Sequence, residues 1–135
     1  MFEAQTKTRV RYSETDQMKY VYYGNYAMYY EIGRVETLRQ LGFSYNEMEK
    51  SGVMMPVANM QTNYLLPGKY DELLTIKVKI PDFPKAKIIF EYEIFNESEQ
   101  LINTGETTLV FVNMESNRPC RVPEPLAKFL KPYFS

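Results

Sequence analysis

The stretch NYAMYYEIGRVETLRQLG, residues 25–42, decides the fold. Met28, Ile32, Val35 and Leu38 recur at spacings of four, three and three, which trace one face of a 3.6-residue period. Glu31, Arg34 and Arg39 fall off that stripe. Asn25 predicts an N-cap and Gly42 a helix stop. A helix of about 17 residues is about 25 Å long. That is long for a chain of 135 residues, so it predicts a central helix that the rest must cover.

The flanking sequence supplies the cover. Lys7 to Tyr12 alternates Lys7, Arg9 and Arg11 with Thr8, Val10 and Tyr12, a half-buried strand, and residues 13–24 make an irregular connection. Val53 to Pro67 is extended and punctuated by Pro56. Glu72 to Ile80 puts Leu74, Ile76, Val78 and Ile80 on one side and Lys77 and Lys79 on the other. Ile88 to Phe95 does the same with Ile88, Phe90, Tyr92 and Ile94 against Glu91 and Glu93. Leu101 to Asn113 is a last long strand, in which Gly105 marks a bulge or a close approach. Short turns join the last three strands, which predicts an antiparallel meander. Leu126 to Leu130 predicts a short terminal helix. One helix under one sheet is an α+β arrangement, and residues 1–135 are read as a single domain.

Composition narrows the function. Lys plus Arg is 16 and Asp plus Glu 17, so no global field draws nucleic acid. The one cysteine, Cys120, permits no internal disulfide, and the reading is cytoplasmic. No apolar run reaches the roughly 20 residues that span a bilayer. Most decisive, the chain has no histidine. Zinc, haem and serine-triad chemistry usually recruit one. Cys120 has no imidazole to activate it and reads as a bystander. No glycine-rich nucleotide motif occurs, and no metal or cofactor is expected.

Carboxylates, tyrosines and backbone amides remain, and they suit a reaction with a good leaving group. A thiol of pKa about 8.5 departs as thiolate far more readily than an alkoxide or amine. Thioester hydrolysis then needs a carboxylate, to activate water or to attack the carbonyl, and amides to hold the oxyanion. A helix N-terminus supplies such amides with a favourable dipole. Asp16, followed by Tyr23-Gly24-Asn25 at the helix entrance, matches that need, and Gly24 leaves room for a ligand against the backbone. Ser13-Glu14-Thr15-Asp16 equally fits a helix-capping signature, and tyrosines at helical spacing fit core.

The segment VRYSETDQMKYVYYGNYAMYYEIGRVETLRQLG, followed by YLLPGKYDELLTIKVKI, FEYEIFNESEQLINTGETTLVFVN and RPCRVP, resembles the hot-dog-fold thioesterases of the 4-hydroxybenzoyl-CoA thioesterase and YbgC-like group. The resemblance implies a hot-dog fold, one long central helix wrapped by a five- to six-stranded antiparallel sheet. It implies a homodimer or homotetramer that pairs sheets and hydrolyses an acyl-CoA at the subunit interface. Asp16 takes the place of the nucleophile or general base, and the backbone N–H of Tyr23 polarises the thioester carbonyl. YbgC-like members carry histidine at the Tyr23 position and the 4-hydroxybenzoyl-CoA enzyme a tyrosine. The backbone role survives either residue.

Other candidates carry two readings each. Asn25 orients the loop, caps the helix or touches substrate, with capping favoured. Lys85 and Lys87 contact CoA phosphates or form a solvated strand edge, and Arg118 and Arg121 are similar. Asp71 reads as a turn residue, and Glu31 and Glu36 are alternative carboxylates. Met28, Tyr29, Met54, Met60 and Tyr64 would shape an acyl pocket, with Met60 taken as substrate-binding. The competing functions are an acyl-thioester binding protein without catalysis and an acyl-carrier-protein thioesterase.

Overall fold

The computed structural model describes residues 1–134. In chain order these form β1 (Phe2–Arg9), α1 (Tyr26–Leu41), α2 (Tyr45–Lys50), β2 (Val53–Met54), β3 (Val57–Tyr64), β4 (Leu73–Ile80), β5 (Lys87–Phe95), β6 (Leu101–Val110), β7 (Val112–Asn113) and α3 (Glu124–Leu130). Five strands make one antiparallel sheet in the order β1-β4-β5-β6-β3. The sheet wraps α1, which packs on β1, β4 and β5. This is the hot-dog fold expected from the sequence, with five strands in the main sheet. β2 and β7 pair separately as a short ribbon.

Alternation sets the core as it does in the sequence. Leu74, Ile76, Val78 and Ile80 of β4 are buried, as are Ile88, Phe90, Tyr92 and Ile94 of β5. Ile76 lies opposite Ile94, and Val78 opposite Tyr92. Each such side chain is worth about 1.5–3 kcal/mol of burial.

Three local expectations change. The first strand starts at Phe2 and leaves the ladder after Arg9. Glu14 draws the chain into a tight turn by accepting from the Arg11 N–H at 3.0 Å, so Tyr12 ends 74% exposed.

The buried face of α1 is Tyr26, Tyr29, Tyr30, Gly33, Arg34, Thr37, Leu38 and Leu41, while Met28, Ile32 and Val35 are only half-buried. Of the expected stripe Leu38 alone lies on the buried face, and the other three form its flank. Apolar counting misses it because phenols enter a core once their hydroxyls are bonded. Even Arg34, expected off the stripe, is buried, with its Nε donating to the Tyr45 hydroxyl at 3.2 Å.

The third change is the added helix α2. Its N-cap Ser44 accepts from the Glu47 N–H at 3.2 Å, the S-x-x-E signature.

Gly42 ends α1 at φ 103°, the left-handed stop expected. Gly42→Ala should lower stability by about 1 kcal/mol, measured as a shift in urea midpoint at unchanged slope. No helix among the described residues is long and apolar enough to cross a membrane.

Candidate active site

The loop before α1 is stitched to residues 67–72 by main-chain bonds. Val10 N–H donates to Glu72 O, Asp71 N–H to Val10 O, Tyr70 N–H to Lys19 O and Val21 N–H to Gly68 O, all at 2.8–3.0 Å. Inside that frame Asp16 makes its own turn. Its N–H donates to Tyr20 O at 2.8 Å and its carbonyl accepts from Lys19 N–H at 3.0 Å. Its Oδ1 accepts from the Met18 N–H at 2.9 Å and the Tyr20 N–H at 3.2 Å. Lys19 closes the turn at φ 65°, a left-handed conformation that costs a lysine about 1 kcal/mol. Ser13 to Asp16 therefore caps no helix. Among the described residues nothing donates to Asp16 Oδ2, and the side chain is half-buried.

A 3₁₀ turn, Tyr23–Asn25, leads into α1. Its first hydrogen bond runs from Asn25 N–H to Tyr22 O at 2.9 Å. The N–H groups of Tyr23 and Gly24 precede that bond, and at a helix start such groups have no intrahelical partner. Asn25 does not cap the helix with its side chain. Its Nδ2 donates instead to Glu14 O at 2.8 Å, so the loop-orienting alternative is the one the structure shows. Gly24 is exposed, and a methyl group added there meets only the edge of the Tyr22 ring.

Asp16, Tyr20, Val21, Tyr23, Tyr26 and Tyr64 share one cleft of about 310 Å³ with Leu65, Leu66 and Pro67. Tyr64 reaches across from β3, and its hydroxyl donates to Tyr23 O at 3.2 Å. The cleft thus holds a carboxylate with one unpinned oxygen, the positive end of a helix and an apolar rim.

Glu14, absent from the sequence candidates, is a buried carboxylate two residues before Asp16. Burial raises its pKa, but the Arg11 N–H, the Arg11 guanidinium at 2.8 Å and the Tyr29 hydroxyl at 2.9 Å outweigh that and hold it below the ordinary range. The phenol of Tyr29 is pushed far up by burial and by Glu14, so it stays a donor. A depressed carboxyl stabilises the fold above its unfolded pKa and loses that as pH falls through the folded one. The difference in Tm between the native chain and Glu14→Gln should therefore be largest near pH 7. It should shrink below about pH 4.5, as a thermal melt series would record.

The remaining candidates lie apart. Met60 sits on β3, 41% exposed, on the same strand face as Thr62 and Tyr64. Lys87 pairs with Val110, whereas the cleft is nearest Ile102, which accepts from Leu65 N–H. Eight residues of β6 separate those levels, roughly 26 Å. Lys85 and Lys87 are exposed at that far end. Asp71 is a turn residue at φ 68°, and Glu36 pairs with Arg39 on the surface of α1.

Residues 10–130 match the family model described as the thioesterase-like superfamily, and the chain belongs to that superfamily. It is 35% identical to YneP of Bacillus subtilis over 119 residues, covering 88% of this chain and 86% of YneP. It is 29% identical over 123 residues to the acyl-CoA thioester hydrolase YbgC of Escherichia coli, covering 91% of this chain and 92% of YbgC. Among solved structures, the DHNA-CoA thioesterase of Staphylococcus aureus superposes with a TM-score of 0.85 at 35% identity, covering 99% of this chain and 85% of that one. The family, fold and thioesterase class expected from the sequence are borne out.

Proposed function

We propose that this chain hydrolyses acyl-CoA thioesters, with Asp16 as the essential carboxylate and the backbone N–H groups of Tyr23 and Gly24 as the oxyanion donors. The observation that carries this reading is one cleft lined both by Asp16, whose Oδ2 is unpinned, and by the start of α1. Acyl-CoA as the substrate is supported by the names of YbgC and of the staphylococcal DHNA-CoA thioesterase. With Oδ1 engaged by two N–H groups, Oδ2 takes a proton from water as the water oxygen bonds to the thioester carbon. The carbonyl oxygen gathers negative charge against the helix start. The C–S bond then breaks, and CoA leaves as thiolate with no acid required. Direct attack by Oδ2 gives an acyl anhydride that water opens to the same products. Single turnover in ¹⁸O-water separates the two, because only the anhydride route places label in Asp16.

The test is thiol release from aliphatic and aromatic acyl-CoAs, with the same acyl groups presented on carrier protein. Turnover of CoA esters is expected. Tight CoA binding with no hydrolysis of any ester would overturn the reading in favour of a binding protein, and preference for the carrier would move the substrate class.

Assembly belongs to the same reading. β3 is a sheet edge of eight residues with no charged side chain. Val57, Met60, Tyr64, Leu65 and Leu66 are exposed along it and just beyond. An edge so unguarded is suited to pairing with a second copy. Antiparallel pairing of two β3 edges sets the start of one strand beside the end of the other. Such pairing would bring Lys85 and Lys87 of the partner subunit toward the mouth of the cleft, where CoA phosphates would emerge, and would set Met60 along the seam. Light scattering should give a dimer or tetramer, and Met60→Lys should shift it toward monomer with loss of activity.

A further inference from the structure

We propose that Glu14 is a positioning residue for this reaction, holding Asp16 and the start of α1 at one fixed spacing. The inference rests on the roles given above to Asp16 and to the Tyr23–Gly24 amides. The contacts come from both ends of the residue. Its carboxylate is bound by Arg11 on its own turn and by the Tyr29 hydroxyl, one turn inside α1. Its carbonyl oxygen accepts from Tyr22 N–H at 2.9 Å and from Asn25 Nδ2 at 2.8 Å. Those two donors bracket Tyr23 and Gly24.

Residues 15–21 are therefore an excursion closed at its base. Thr15 bridges Val21, Asp16 N–H reaches Tyr20 O, and Glu14 joins the base to the helix. The Asp16 carboxylate hangs from one side of that clamp and the oxyanion donors from the other. Glu14 is bonded to both sides, to the start of α1 through Tyr29 and Asn25 and to the base of the excursion through Arg11 and Tyr22. A displacement of about 1 Å between reacting groups costs on the order of a hundredfold in rate. A carboxylate buried for stability alone needs partners, but it does not need them to flank the two halves of a site.

The experiment compares Tyr29→Phe, Asn25→Ala and Glu14→Gln. Each removes or weakens one strut with little change in volume, and all are assayed well below their melting temperatures. For Tyr29→Phe kcat should fall about 10-fold, and for Asn25→Ala about 30-fold, at KM within about twofold. The losses of the Tyr29→Phe, Glu14→Gln pair should be less than additive, because both weaken the bond between Tyr29 and Glu14. Unchanged kcat with lowered Tm in the first two variants would overturn the inference and leave Glu14 as scaffolding. A raised KM at constant kcat for Asn25→Ala would overturn it for Asn25 and make that side chain a substrate contact. The two readings fail separately. Turnover surviving in Asp16→Asn sinks the proposed mechanism, whereas full kcat in the strut variants beside a dead Asp16→Asn sinks only this inference.

Discussion

Asp16→Asn is expected to lower kcat about a thousandfold, the middle of the range for losing a positioned base, with Tm moved by no more than a degree or two. The two oxygens of Asp16 explain why both halves of that result belong together. Oδ1 accepts the Met18 and Tyr20 N–H groups and keeps the turn closed. Asparagine retains an oxygen there, so the turn survives. What it replaces is Oδ2, the oxygen with no donor among the described residues, by an amide that neither takes a proton nor attacks a carbonyl. Thiol release at saturating acyl-CoA measures the loss, and calorimetry shows that the fold is intact. Asp16→Ala makes the complementary variant. It removes both oxygens, so activity and the stability of the loop should fall together. An Asp16→Asn protein that hydrolyses at the native rate would sink the assignment.

The second large effect lies in the sheet. Gly105→Ala should destabilise the protein by about 3 kcal/mol, the heavy end of overpacking, and lower Tm by roughly 10 °C. Gly105 is held in register between Tyr92 and Thr62 at the middle of β6. The Tyr30 ring lies directly over it, so an added Cβ would enter the ring. Tyr30 has little freedom to retreat. It stacks on Tyr92 at 4.2 Å, and its hydroxyl bonds Thr62 Oγ1 at 2.8 Å and Asn103 Oδ1. Urea denaturation of Gly105→Ala, Tyr30→Ala and the double variant gives the check. The added methyl should cost far less once the ring is gone, which a double-mutant cycle reads as coupling. Equal cost in both backgrounds would place the strain elsewhere.

How much of this was legible in the sequence depends on which physical signal each element carries. β4 and β5 announce themselves through strict alternation, since one face must be dry and the other wet. Gly105 was legible as a close approach, but Tyr30 as its cause was not, because contact across elements leaves no periodic mark. The Tyr23-Gly24-Asn25 entrance was legible as a helix start, and Asp16 as a carboxylate near it. The work of Asn25 was misread, since a cap and a loop anchor use the same residue type and only the direction of the side chain separates them. Glu14 was hidden by its neighbours. Within Ser13-Glu14-Thr15-Asp16 the spacing drew attention to the ends, while the buried member lay between them. Lys85 and Lys87 show a further limit. Under the proposed pairing their placement concerns a second copy, and one chain shows only the unpaired edge of β3.

Tyr29 and Tyr30 are adjacent on α1, yet they answer to different parts of the molecule. The first bonds the loop through Glu14, and the second bonds the sheet through Thr62 and Asn103. One peptide unit joins them, so a rotation of the helix moves both contacts together. A defect in β6 therefore has a mechanical route to the site loop that touches no residue of the cleft. Suppressors of a crippled Glu14 contact are to be sought in residues 103–107, where a selection aimed only at the cleft would never look.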